Sequence, residues 1–324
     1  MSLFIEILLL ILGFVFLIKG ADLLVKSATS IAKKSGLSEM LIGLTIVAIG
    51  TSLPEVFITV KSAIDGHSDL IIGNALGSCI CNFLFVLGVT SLIRPVKFDK
   101  RIVNRHMPIG LAVMLLILFL GNTEKFGEHQ TITRNQGFIL ILCTLVYVLY
   151  TIYEEKKIKN EKIDEEIIKD VESKENCSAF EIIIYMILGI LGLKFGSDLV
   201  VNNAVEIAGR VGISEKFIGM TIIAIGTALP ETITGIISAR RGETDLLLGN
   251  ISGSNILNLC LLIGLGAVIN PLIYASDFNI SILILIAVTI FLQLLAIINR
   301  KSELSRGKGL ILIIIYLLYI YSML

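Results

Sequence analysis

The chain is short of charge: 17% of its 324 residues are Asp, Glu, Lys or Arg, against roughly 25% in an ordinary soluble domain. Its 27 basic and 27 acidic residues cancel, which removes the basic footprint that nucleic-acid binding needs. Histidine is scarce. His67, His106 and His129 fall in loops or at span ends, so no HExxH pair can hold zinc within an apolar segment. The five cysteines, Cys79, Cys81, Cys143, Cys177 and Cys260, show neither a secreted disulfide pattern nor metal-ligand spacing with histidine. Four of them lie in apolar segments and read as small packing residues. There is no nucleophile–base pair and no cofactor motif, so no enzyme, no cofactor and no protein partner is expected.

What the chain has instead is apolar length. Hydrophobic residues make up 55% of it and gather in runs such as Phe4–Ile18, Leu111–Leu120, Phe138–Tyr150 and Ile280–Ile298. Runs near about 20 residues match a hydrocarbon core about 30 Å thick. The partner these runs call for is a lipid bilayer. The first run lacks a small-residue cleavage pattern and continues into a motif used again later, so it reads as a helix and not as a signal peptide.

The chain also repeats itself. Gly20–Pro95 aligns without a gap to Gly196–Pro271 at an offset of 176, with 35 identities in 76 positions. GLSEMLIGLTIVAIGTSLPE answers GISEKFIGMTIIAIGTALPE, and DLIIGNALGSCICN answers DLLLGNISGSNILN. Hydropathy and breakers divide the chain into ten spans: 3–33, 38–63, 69–93, 105–121 and 134–153, then 179–209, 214–239, 245–269, 279–298 and 308–323. The fold class is therefore an all-α integral membrane protein, with 1–153 and 179–324 as five-helix repeats around a linker at 154–178. Five spans is an odd number, so the second repeat enters the membrane in the opposite sense. Inverted repeats are typical of secondary transporters, with the site near the midplane.

Orientation follows from the loops. Nineteen Lys and Arg residues gather on the side that holds the central loop, and five on the other. The basic side faces the cytoplasm, which puts both termini outside and the location at the plasma membrane. The mixed charges of EEKKIKNEKIDEEIIKD read as a solvated linker too short for a folded sensor domain.

The second span of each half carries Gly50-Thr51-Ser52-Leu53-Pro54-Glu55 or Gly226-Thr227-Ala228-Leu229-Pro230-Glu231. Pro54 cannot donate to the carbonyl of Gly50, nor Pro230 to that of Gly226, so each helix breaks there. Freed carbonyls at membrane depth are tolerated only where they are buried in protein or line a wet cavity. Thr51 and Glu55 share a helical face, as do Thr227 and Glu231. A carboxylate at mid-membrane costs about 2.5–3.5 kcal/mol on insertion scales, and two related by the repeat read as a cation site. The third spans add the stripes Asn74, Ser78, Asn82 and Asn250, Ser254, Asn258. These donors are all oxygen, which selects hard cations. Two carboxylates balance one Ca2+.

Other polar residues read structurally. Asp22 pairs with Lys19, and Asp198 with Lys194, within their own helices. Ser38-Glu39 and Ser214-Glu215 stand where the second spans begin, and Asp69 and Asp245 where the third spans begin, all as caps.

The paired motifs GTSLPE…GNALGSCICN and GTALPE…GNISGSNILN resemble the two α-repeats of the cation/calcium antiporter superfamily, and in particular its prokaryotic sodium/calcium exchangers. The resemblance implies an antiporter exchanging Na+ for Ca2+ by alternating access, with the first and sixth spans sliding across a rigid core. It implies Ca2+ at Thr51, Glu55, Thr227 and Glu231. It implies Na+ at these residues with Ser52, Ser78, Asn82, Ser254 and the backbone carbonyls of Ala48 and Ala224. Two departures stand out. Ala228 answers Ser52, so one hydroxyl is missing. Asn258 occupies a position where many relatives carry Asp, which leaves the site at two negative charges and implies electrogenic exchange without K+. A Ca2+/H+ antiporter on the same scaffold and a passive cation channel are the alternatives.

Overall fold

The computed structural model describes residues 3–123, 125–126, 129–163, 178–210, 224–298 and 303–323. The chain is mostly helical. α1 is Leu3–Ser35, α2 Glu39–Thr51, α3 Leu53–Ile64, α4 Ser68–Ile93, α5 Ile102–Thr123 and α6 Arg134–Ile163. α7 is Ala179–Arg210, α8 Ala224–Thr227, α9 Leu229–Arg241, α10 Thr244–Ile269, α11 Phe278–Ile298 and α12 Arg306–Met323. Among the described residues, seven helices are long and apolar enough to cross a bilayer, or eight with the bent pair α2 and α3 taken as one span. Residues 214–223 of the expected seventh span, with the expected cap at Ser214-Glu215, lie outside the described residues.

Short strands, absent from an all-helical expectation, clip the loops together. Val96–Lys97 pairs with Glu303–Leu304, and His129–Ile132 lies between Lys125–Phe126 and Leu272–Ile273.

Burial sorts the helices. The apolar stretch of α10 is 83% buried and that of α4 72%, against 22% for α1 and α7. α4 and α10 are therefore the centre, which explains why their hydrophobic residues occur on every side. One apolar cluster joins them to α5, α6, α11 and α12. A second, smaller cluster is built on α1 and α7 and reaches Leu37, the α2 residues Ile42, Ile46 and Val47, Leu246, and the α9 residues Leu229, Ile233 and Ile237.

α1 and α7 are joined by small residues. A Cβ on Gly20 would lie 2.7 Å from the Leu193 nitrogen and 2.8 Å from the Gly189 carbonyl oxygen. Backbones this close gain dispersion contacts, the main source of helix association where lipid is as apolar as leucine. α2 meets α10 in the same way, with a Cβ on Gly43 placed 2.5 Å from the Leu246 carbonyl oxygen.

The cytoplasmic linker expected from residue 154 begins differently. α6 runs on to Ile163, and Glu154 and Glu155 point inward, 7% and 8% exposed. Glu155 accepts from the Ser38 N–H at 2.7 Å and pairs with Arg101 at 3.3 Å, while Glu154 pairs with Arg105. The charges that mark a solvated loop in the sequence are here satisfied by arginines on the neighbouring helix. Burial would raise the Asp99 carboxyl, but the Arg101 side chain and N–H hold it below the usual carboxylate range.

The cap and pair expectations meet the structure with mixed results. Ser38 caps α2, accepting from the Leu41 N–H at 3.2 Å. Asp69 and Asp245 are not caps: α4 and α10 start one residue earlier, and both acids sit in the first turn, where the helix dipole favours them. Asp198 bonds Lys194 at 2.9 Å as expected, but Asp22 pairs with Arg241 of α9 at 2.6 Å and not with Lys19.

A test of the α1–α7 contact follows. Gly20→Val should destabilise the protein by about 1–3 kcal/mol, read as a lower melting temperature in detergent. Gly110→Ala, where a Cβ meets no described atom within 4 Å, should stay within about 0.5 kcal/mol of the parent. Equal melting of the Gly20 variant and the parent would contradict the close seam.

Candidate functional site

The two proline breaks have the same backbone. Ser52 (φ −85°, ψ 2°) and Ala228 (φ −89°, ψ 6°) each stop a helix that restarts at Leu-Pro, and across the first break α2 and α3 are bent by 46°. This φ/ψ lies in the sparsely used bridge region, frequent at functional sites. Proline at the second position of the new helix loses nothing, because that N–H would be unsatisfied in any case. Gly226, whose carbonyl Pro230 cannot serve, accepts instead from the Ser197 hydroxyl of α7 at 2.9 Å.

Immediately after each break stands a glutamate. Glu55 is 0% and Glu231 1% exposed, and among the described residues none of their four carboxylate oxygens has a partner at hydrogen-bonding geometry. The two are near enough to repel one another, and the Thr51 hydroxyl reaches the field of Glu231. Thr51 is fully buried, its hydroxyl 3.1 Å from the Val47 carbonyl, 3.3 Å from that of Ala48 and 3.2 Å from Asn250 Oδ1. It also lies 3.5 Å from the Ser254 hydroxyl. The first broken helix thus meets the central helix of the opposite half, α10.

Around the glutamates the buried polar atoms are largely unmatched. Among the described residues, Ser52 Oγ, Ser78 Oγ, Asn82 Oδ1 and both side-chain heteroatoms of Asn258 lack partners, as do the side-chain amide nitrogens of Asn74 and Asn250. Native proteins leave few buried polar groups unsatisfied, so such a concentration marks a place built for something else. Among the described residues no three His, Cys, Asp or Glu side chains gather as a metal cluster; the site has two carboxylates and otherwise neutral oxygens.

π-helical turns position several of these side chains. One covers Gly43–Val47 just before Ala48, one Asn82–Val86, and one Leu257–Leu262 around Asn258. A π turn displaces side chains from regular helical spacing and often occurs at functional sites. Of the second half's expected residues, the backbone of Ala224 and Thr227 lies in the short helix α8, and Thr227 is half-buried.

Two residues were not legible as site residues in the sequence. Asn255 accepts from the Asn82 amide at 3.0 Å, and its own carbonyl takes the Cys79 thiol at 3.4 Å. Cys79 is its mate in the repeat, so the only signal was a mismatch inside an otherwise matching motif. Ser197, mate of Ala21, is a mismatch of the same kind.

The sodium/calcium exchanger protein family model matches residues 5–153 and 181–324. The chain belongs to that family. It is 34% identical to the putative antiporter CaxA of Alkalimonas amylolytica over 88% of each chain. It is 30% identical to the sodium/calcium exchanger MaX1 of Methanosarcina acetivorans over 98% of this chain and 97% of that one. A solved structure of the sodium-calcium exchanger NCX_Mj, from a study of extracellular ion exchange and induced binding-site occlusion, superimposes with a TM-score of 0.82 at 28% identity and covers 100% of both chains. The expected family resemblance thus holds over both repeats, and the family match leaves out the central loop.

The Asn82–Asn255 bond gives the test for this site. Asn255→Leu should leave the Asn82 amide buried without an acceptor, at a cost of about 1–3 kcal/mol. Asn82→Leu combined with it should cost less than the sum of the two single changes. Additive losses in ion-free melting experiments would show that the two amides act independently.

Proposed function

We propose that this exchanger moves Na+ against Ca2+ across the plasma membrane by alternating access. The observation that carries the reading is the pair of repeat-related, buried glutamates whose four oxygens find no hydrogen-bond partner among the described residues. Ca2+ takes about 6–8 oxygens at about 2.3–2.6 Å in flexible geometry. Glu55, Glu231, Thr51 and Thr227 would hold it, and Na+ would use these with Ser52, Ser78, Asn82, Ser254 and the carbonyls of Ala48 and Ala224. Either ion compensates the carboxylates; the empty site leaves like charges facing one another, which opposes the change of access and enforces exchange. The names and titles of the matched relatives support Na+ and Ca2+ as the pair of ions over H+ coupling or a passive channel.

On this reading the chain forms ten spans in two inverted five-helix repeats, 1–153 and 179–324, joined by a cytoplasmic linker, with both termini outside. The seventh span comprises α8, α9 and the residues before them, and α12 is the tenth. The separate apolar cluster around α1 and α7 supports these two helices as the part that moves against the core. Exchange is electrogenic, and the neutral Asn258 leaves no charge for K+.

The experiment is ion flux into proteoliposomes. Vesicles loaded with Na+ and diluted into Ca2+ should take up Ca2+, with no need for K+ or a pH gradient. Uptake driven by a pH gradient and indifferent to internal Na+ would overturn the assignment, and uptake without any counter-gradient would make the protein a channel. Glu55→Gln and Glu231→Gln should each abolish flux, and Ca2+ should raise the melting temperature of the parent but not of either variant. Asn258→Asp should introduce K+ dependence; if it does not, the charge argument at that position fails.

A further inference from the structure

The α1–α7 pair engages the helices that follow the two breaks, α3 and α9, unequally; it also packs on Ile42, Ile46 and Val47 of α2, whose mates lie outside the described residues. Because the halves repeat at an offset of 176, each contact the pair makes with α9 has a mate it could make with α3. On α9, Leu229, Ile233 and Ile237 pack into the cluster built on α1 and α7. Their mates on α3 are Leu53, Phe57 and Lys61; Phe57 is 60% exposed and Lys61 is exposed as well.

Two polar bonds fall on the packed side. The Ser197 hydroxyl, on a residue only 6% exposed, donates to the Gly226 carbonyl at 2.9 Å, and the Arg241 guanidinium donates to Asp22 at 2.6 Å. Neither can be reproduced on the other side. The mate of Ser197 is Ala21, which has no hydroxyl, and the mate of Arg241 is Asp65, which would repel Asp198. Asp198 is bonded to Lys194 of its own helix instead.

We propose that Ser197–Gly226 and Asp22–Arg241 form a latch that holds the α1–α7 pair on the second broken helix and biases the protein toward one access state. This rests on the alternating-access reading above. With the end of α9 at the cytoplasm, the latched state closes that side and leaves the outer face of α3 uncovered. Release strips a buried carbonyl of its donor and separates an ion pair, and the opposite docking returns neither bond. The sequence asymmetry between the halves therefore becomes an asymmetry between states: the latch stabilises the outward-facing one. Ser197, Asp22 and Arg241 are positioning residues, and none contacts the glutamates in this structure.

Population shift sets the sign of the test, since apparent affinity falls with the fraction of the competent state. Ser197→Ala and Arg241→Gln should each lower the half-saturating Ca2+ concentration at the cytoplasmic face and raise it at the outer face. Each ratio should move by about 2- to 10-fold, the range of one hydrogen bond. The exchanged pair Asp22→Arg with Arg241→Asp should restore the parental ratio. An unchanged ratio, or an equal change at both faces, would overturn the latch. A readout independent of transport is labelling of Lys61→Cys by a charged thiol reagent, followed at that position by peptide mass. Labelling should be fast in the parent background and slow when Arg241→Gln is added; equal labelling rejects the latch whether or not the vesicles exchange Ca2+. Absence of Na+-driven Ca2+ flux in the parent, with labelling still sensitive to Arg241, would reject the exchange reading alone.

Discussion

Two carboxylates held at the centre of an apolar protein, with no cation paired to them among the described residues, form the constraint around which everything else is arranged. Glu55 and Glu231 lie near enough to repel one another, and among the described residues many buried polar atoms of the same helices and of α4 and α10 are themselves short of partners. A soluble protein would let water in or supply an arginine; here the arginines are spent elsewhere, on Glu154 and Glu155 at the end of α6 and on Asp22 and Glu6 along α1. Packing around the glutamates must therefore be rigid enough to keep orphan oxygens apart. The burial of α4 and α10, and the near contact of backbone with backbone at Gly43, supply that rigidity.

The helices that bound this core are of a different kind. Of the seven helices long and apolar enough to span, α1 and α7 are the least buried; they are joined chiefly to each other and share their own apolar cluster. Glu6, wholly buried on α1, is paired with Arg210 of α7 at 2.7 Å, tying the two helices at a second level. A unit with strong internal contact and modest contact with its surroundings can change place without being rebuilt.

Much of this was legible in the sequence because the signals were strong and doubled. Long apolar runs, a gapless repeat and proline directly before glutamate each have a simple physical reading, and the second copy confirmed the first. What was not legible depended on partners distant in sequence. Asp22 has a lysine three residues before it, yet Arg241, 219 residues away, takes the bond. Glu154 and Glu155 look solvated beside their lysines, until the arginines of α5's approach are seen to face them. Asn255 and Ser197 were hidden because a repeat marks the positions where the halves agree, whereas both work where the halves differ.

The π-helical turns carry a further consequence. Each holds one residue more than an α turn would, and the turns at Asn82–Val86 and Leu257–Leu262 fall on matching positions of the two halves. Yet the halves align there without a gap. An extra residue inserted independently into each copy would have had to land twice at the same place. The simpler history is that the widened turn already existed in a single ancestral half, before that half was doubled. The local geometry that carries Asn82 and Asn258 is then older than the two-fold protein that now depends on it.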